Sequence, residues 1–206
     1  MAKRNPEKTK KNILIAAVEE FAENGFGGAR VDAIAESSGS NKRMIYHYFG
    51  NKEGLYLAVL EHVYADIRSH ENELNLNELE PVEAIKLLVD YTFDYFIRNP
   101  HFISLLNDEN LYKAEHLKQS EKIKNMHSSL LTELTQLLER GVESGDFIEG
   151  VDPAQLYISI AAEGYFYLSN AHTLSVIFGK KLLARSEIET RRCHISNVIL
   201  GYLLKK

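Results

Sequence analysis

Residues 30–56 read RVDAIAESSGSNKRMIYHYFGNKEGLY, and this stretch decides the fold. Residues 31–37 have the spacing of a short helix that stops before Gly39. Residues 42–48 form a second short helix, crowded with polar and aromatic side chains, and Lys52 opens a third. Asn41 and Asn51 stand where a side-chain oxygen can accept from the free N–H groups at a helix start. Two short helices joined at a glycine turn are the layout of a helix-turn-helix, whose second helix enters the DNA major groove while its flanks hold phosphates.

Charge supports a local rather than a general affinity for nucleic acid. The 206 residues carry 24 Lys/Arg against 29 Asp/Glu, a net charge of −5. Residues 1–56 hold nine basic and seven acidic side chains, so the remaining 150 residues carry −7. A mildly basic head on an acidic body suits docking by the head with little stray binding elsewhere. With 45% hydrophobic residues the chain can bury a sizeable core. The single cysteine, Cys193, permits no intrachain disulfide and fits a reducing compartment. No signal peptide or spanning run is visible, so a soluble, cytoplasmic protein without membrane contact is expected.

Outward from the opening stretch, the periodicity is helical throughout, and the expected fold is all-α. The first helix starts at Asn5-Pro6 or near Thr9, buries Ile13, Ala17 and Phe21, and ends at Asn24-Gly25. Helix 52–70 carries Leu55, Val59, Val63 and Ile67, and the acidic run 71–80 reads as a loop. Val82, Ile85, Val89, Thr92 and Phe96 follow Pro81, and a short helix spans about 101–107. A long helix over 118–143 shows Ile123, Met126, Leu130, Leu134, Leu137 and Leu138. A further helix runs from Asp152-Pro153 to about Phe178, and the last covers 185–204. The expected organisation is a helix-turn-helix domain over 1–52 and a larger helical domain over 53–206.

The second short helix carries the chemistry. Lys42, Arg43, Tyr46, His47 and Tyr48 crowd into seven positions while Ile45 and Phe49 anchor them. Long donors can reach base edges or phosphates, and Arg pairs bidentately with guanine. Lys52 beside a helix N-terminus combines a charge with free N–H groups, which suits a phosphate. The basic residues Lys3, Arg4, Lys8, Lys10 and Lys11 allow two readings, an arm over the DNA or a solvated tail.

In combination, Phe21, Asn24-Gly25-Phe26, Ile34-Ala35, Gly39, Tyr46-His47-Tyr48-Phe49 and Lys52-Glu53 resemble the N-terminal domain of the TetR family of bacterial transcriptional regulators, over about residues 9–60. The resemblance implies base or phosphate contacts from Arg30 and Val31, base reading by Lys42, Arg43 and Met44, and backbone contacts by Tyr46, His47, Tyr48 and Lys52. Three departures stand out. Ala29-Arg30 replaces a common threonine pair, Ser40-Asn41 replaces valine-serine, and Gly54 replaces a frequent glutamate.

The resemblance further implies a dimerising, effector-binding body. The expected pocket residues are Phe96, Phe102, Leu106, Met126, Ala161, Tyr165 and Leu168, the last three on one helical face. The expected dimer stripe is Ile188, Ile195, Val198, Ile199 and Tyr202, which suits a four-helix interface between two subunits, although it could instead pack internally. Pairing is also demanded by mechanism, because two-fold symmetry places a second recognition helix in the next major groove. Cys193, flanked by Arg191, Arg192 and His194, reads either as a bystander or as a thiol activated by its neighbours. Asp108-Glu109 reads as loop solvation, with contact between Glu109 and a ligand as the other reading. No cofactor, metal site or enzymatic activity is expected. The expected function is a homodimeric repressor that binds a palindromic operator and is released by a small organic effector. The competing readings are a DNA-binding regulator or architectural protein of the same fold controlled by a protein partner without a small-molecule inducer, and an enzyme on a helical scaffold.

Overall fold

The computed structural model describes residues 5–205, apart from the side chain of His127. Lys3 and Arg4, two members of the expected basic arm, lie outside the described residues. Ten α-helices follow one another: α1 (Pro6–Gly28), α2 (Val31–Ser37), α3 (Lys42–Phe49), α4 (Lys52–Asn72), α5 (Pro81–Arg98), α6 (Pro100–Leu111), α7 (Glu121–Glu143), α8 (Pro153–Ser169), α9 (Ala171–Phe178) and α10 (Arg185–Leu203). Short 3-10 turns occupy Leu76–Glu78 and Leu117–Gln119. Among the described residues the one strand-like feature is an isolated bridge between Phe147 and Leu204, so the fold is all-α as expected.

Capping explains where the helices begin. Asn5 accepts from the Lys8 N–H, Asn41 from Met44 N at 3.0 Å, Asn51 from Gly54 N at 2.8 Å, and Asp152 from Ala154 N at 2.8 Å. Each satisfies a donor that has no partner inside its own helix. Pro6, Pro81 and Pro153 sit in the first turns of α1, α5 and α8, where the missing N–H costs nothing.

The chain forms two compact units. The first runs through Asp66 and adds Pro100–Lys124; the second comprises Ile67–Asn99 and Asn125 onward. Helices α4 and α7 therefore contribute residues to both, and α6 belongs with the helix-turn-helix rather than with the body. The expected division at 52/53 falls within the first turn of α4.

In the first unit, Ile13, Ala16, Ala17 and Phe21 of α1, Ile34 and Ala35 of α2, Ile45 of α3, and Leu55, Tyr56, Val59 and Leu60 of α4 are buried. α6 packs along α1 and adds Phe102, Ile103 and Leu105. In the second unit, α5 packs on α8 and α10. Its core joins Ile85, Leu88, Val89 and Phe93 to Leu134, Leu137, Phe147, Leu156, Ile160, Ile195, Ile199 and Leu203.

Several expected boundaries shift. α4 continues to Asn72, and within the run read as a loop Leu76 is buried by a 3-10 turn. α6 is 12 residues long. The helix expected to reach Phe178 breaks at Asn170, where α8 ends and α9 begins. Gly25 does not end α1 but kinks it, with φ of 65° and ψ of 171°, and helical structure resumes through Gly28.

Candidate nucleic-acid interface and regulatory core

α2, the turn at Gly39 and α3 form the helix-turn-helix. Gly39 adopts φ of +62°, a conformation that favours glycine, and the Ser40 N–H then returns to the Ala35 carbonyl at 2.9 Å. Ser40, a departure from the family pattern, is half-buried at this turn and is held through its backbone. The turn and the Asn41 cap fix the start of α3. Ile45 is fully buried beneath it, so Lys42, Arg43, Tyr46 and His47 stand outward.

Most residues expected to meet DNA are accessible, but their surroundings differ. Arg43, Tyr46 and His47 are exposed, while Met44 and Tyr48 are half-buried. Lys42 ion-pairs with Asp32 of α2 at 2.8 Å, and the Asp32 carboxylate raises the pKa of its ammonium. This pair is open to water and is screened there, so DNA can compete for Lys42. Arg30 is exposed, and its backbone N–H donates to Glu20 Oε1 at 2.8 Å. Lys52 lies 5.1 Å from the Phe26 ring centroid, where the aromatic face holds the ammonium beside the start of α4.

Two expectations are corrected here. Val31 faces inward as part of the buried side of α2, so its side chain cannot read a base. Lys8, Lys10 and Lys11 are not a loose arm. They are exposed on the first turns of α1, and Lys10 lies 5.8 Å from the Phe49 ring centroid.

Behind the reading surface is a polar cluster, half-buried at Asp108 and buried at Glu109 and His116, that the sequence did not reveal. Asp108 Oδ2 accepts from the Phe26 N–H at 2.7 Å and from the Tyr56 hydroxyl at 2.9 Å. Burial and then the hydrogen bond to Asp108 push the Tyr56 phenol far above its ordinary pKa, so it remains a donor. A Cβ on Gly25 would lie 2.7 Å from Asp108 Oδ1. Glycine at 25 thus supplies both the positive φ and the room for the carboxylate. Glu109, 1% exposed, accepts from His116 N and Leu117 N at 2.9 Å each, and pairs with His116 Nδ1 at 2.8 Å. The His116 ring packs 4.6 Å from Phe26 and 4.8 Å from Tyr56, centroid to centroid. The expectation that Asp108 and Glu109 merely solvate a loop is overturned. Their partners are largely backbone N–H groups, which leave no mark in a sequence.

The expected pocket residues are divided between the two units. Phe102 and Leu106 belong to the first unit, with Phe102 packed edge-on against Tyr64 at 5.4 Å. Phe96, Met126, Ala161, Tyr165 and Leu168 belong to the second. There Phe96 is buried against Gly164 of α8, while Ala161, Tyr165 and Leu168 are half-buried. A groove of about 470 Å³ lies between α7 and the start of α8, lined by Leu138, Glu139, Val142, Ile148 and Val151 among others, and by none of the expected pocket residues.

The dimer stripe divides in two. Ile195 and Ile199 are 1% and 2% exposed within a single chain, so they have no surface left to offer a partner. Ile188 is half-buried against the same core. Val198 and Tyr202, at 42% and 56%, occupy the adjoining arc of α10. On α8, Ile158 and Phe166 are likewise exposed, and Val176, Ile177 and Phe178 of α9 stand in solvent. Cys193 is exposed, but its two arginine neighbours are engaged elsewhere. Arg191 pairs with Glu163, and Arg192 with Asp94 and Glu189. Those ion pairs direct both guanidinium groups to other carboxylates.

Two family models match the chain: that of bacterial regulatory proteins of the tetR family over residues 13–59, and a tetracyclin repressor-like C-terminal domain over residues 81–199. A relative from Pseudomonas putida, the HTH-type transcriptional repressor NicS, is 39% identical over 169 residues, covering 82% of this chain and 80% of its own. Among solved structures, the putative transcriptional regulator SCO4942 of Streptomyces coelicolor superposes with a TM-score of 0.71 at 22% identity, over 95% of this chain and 98% of that one. FadR of Bacillus subtilis in complex with stearoyl-CoA superposes with a TM-score of 0.67 at 20% identity, over 93% and 98%. These two structures share the fold.

Proposed function

This chain belongs to the tetR family of bacterial regulatory proteins, and from that premise we propose that it is an operator-binding repressor, dimeric through its second unit and released by a small molecule held there. The observation that carries the reading is α3, capped by Asn41 and seated on Ile45, which holds Arg43, Tyr46 and His47 outward in one short helix. Arg43 and Met44 read base edges, with Lys42 joining them once DNA displaces Asp32. Tyr46, His47, Tyr48, Lys52 and Arg30 hold the backbone. Lys8, Lys10 and Lys11 add charge along the first turns of α1.

One helix of eight residues spans few base pairs, so a second copy is required. The exposed apolar arcs of α8, with Ile158 and Phe166, and of α10, with Val198 and Tyr202, supply a self-complementary surface for two-fold pairing. Effector binding then acts by favouring a dimer whose two reading helices no longer match successive grooves, which requires different affinities for the two states. The relative named as a repressor and the shared fold of a regulator that holds stearoyl-CoA support both parts of this reading.

The test is selection from a random DNA pool by the full-length protein. The expected outcome is an enriched palindrome whose half-sites are centred about 34–36 Å apart, one helical turn. Failure to enrich any sequence over nonspecific DNA would overturn the proposal.

A further inference from the structure

The groove between α7 and the start of α8 has an apolar floor and an acidic rim. Leu138 and Val142 of α7, with Ile148, Val151 and Pro153 beyond it, line a space of about 470 Å³. Leu138 is buried and the other four are half-buried. Glu139, Glu143 and Glu149 line the same space, all three exposed, and no lysine or arginine stands among the lining residues. None of these carboxylates has a hydrogen-bond or ion-pair partner among the described residues. Arg140, which lies between two of them in sequence, is turned instead to the carbonyls of Leu76, Asn77 and Leu79. The rim therefore carries negative charge that nothing in the chain answers.

The wall opposite α7 is fixed. Phe147 is buried against Gly141, where a Cβ would lie 2.0 Å from its ring, and its N–H donates to the Gly141 carbonyl at 2.9 Å. The Ile148 N–H donates to the Leu203 carbonyl of α10 at 2.9 Å, and Asp152 caps α8. The groove is thus formed before a ligand arrives, which lowers the cost of binding. Its size points to a small molecule, because such sites span about 300–1,000 Å³. Ten lining residues are too few for a stable protein partner, which covers about 20–30 a side. The carboxylates do not make a metal site either: among the described residues no three His, Cys, Asp or Glu side chains are placed to hold one ion.

We propose that this groove binds a small organic cation, an amine or quaternary ammonium whose apolar body lies on Leu138, Val142, Ile148 and Val151 while its charge meets Glu139, Glu143 and Glu149. An anion would meet like charge around the rim, and a neutral molecule would leave the carboxylates unanswered. Each exposed ion pair is weak alone, so the apolar body supplies most of the affinity and the rim supplies the choice among ligands. The groove ends at Pro153, the first residue of α8, whose Ile158 and Phe166 belong to the pairing surface, so an occupant bears on that helix. In this respect the proposal rests on the reading of the second unit as an effector domain and names the chemistry it selects.

The test applies hexylamine, phenethylamine and benzyltrimethylammonium to the full-length protein, with hexanol, phenethyl alcohol and hexanoate as neutral and acidic counterparts, read by calorimetry and thermal shift. At least one cation is expected to bind about tenfold or more tightly than its matched alcohol, and to weaken as salt is raised. Methylamine, which has the charge without the body, should not bind. The variant Glu139→Gln/Glu143→Gln/Glu149→Gln alters only exposed groups, so it should keep or slightly raise the melting temperature while binding the cation about tenfold more weakly. No binding by any cation, equal binding of alcohol or methylamine, or binding that survives the triple variant overturns the site. Release from the operator separates this proposal from the broader reading. A cation that frees the wild type from DNA, but not the triple variant, supports both. A cation that binds the groove and leaves the operator complex intact overturns the link to regulation. Release by a neutral or acidic compound, with no cation bound, removes the groove and leaves the effector domain standing.

Discussion

Each unit buries carboxylates, and the two sets are treated very differently. In the first unit the buried Glu109 and the half-buried Asp108 are both supplied with donors. Asp108 serves Phe26 and Tyr56, and Glu109 serves two backbone N–H groups and the His116 ring. In the second unit, where Arg68 pairs with Glu71, Arg68 Nε and Glu71 Oε1 have no hydrogen-bond partner among the described residues. A satisfied network fixes one geometry, as a scaffold behind a DNA-reading helix requires. A half-satisfied network costs stability and fixes its geometry less firmly. The contrast separates the part of the molecule that must hold still from the part that must respond.

The largest expected effect lies in the first unit. Glu109→Ala strips three donors of their acceptor and should lower the unfolding free energy by about 3 kcal/mol or more in urea denaturation. A loss below about 1 kcal/mol would dissolve the contrast. Gly25→Ala forces a side chain into positive φ and pushes Asp108 from Phe26, with an expected loss of about 2 kcal/mol by the same measurement. The smallest effect on stability belongs to the second unit. Arg68→Met/Glu71→Leu exchanges an incomplete ion pair for apolar packing and should leave stability unchanged or raise it. If that variant instead lost as much as Glu109→Ala, the Arg68 cluster would be scaffold too, and the comparison would fail.

How much of this was legible in the sequence depended on whether the decisive partner was local. Asn5, Asn41, Asn51 and Asp152 announce helix starts because a cap bonds within three residues. Gly39 announces its turn through its own backbone freedom. The buried carboxylates gave no such signal. Glu71 sits at the head of an acidic run that reads as solvent-facing, and Asp108 meets Phe26 and Tyr56, 82 and 52 residues away. The dimer stripe is split between core and surface for another reason. Val198 and Ile199 are neighbours about 100° apart around α10, and apolarity alone does not say which arc faces the core. Asn170 divides α8 from α9 with no proline or glycine to mark the break. Val31 stands at the start of α2 but turns its side chain into the core, which its place in the sequence does not show.

The most direct test of the whole account compares Arg43→Ala and Lys52→Ala with the wild type, on the selected operator and on scrambled DNA, across a salt titration. Lys52→Ala should weaken binding to both DNAs and make the salt dependence shallower by about one counterion per subunit. Arg43→Ala should collapse the preference for the operator by about 1–3 kcal/mol per half-site, with nonspecific binding largely kept. An Arg43→Ala protein that discriminates operator from scrambled DNA as well as the wild type would contradict the claim that α3 reads the sequence.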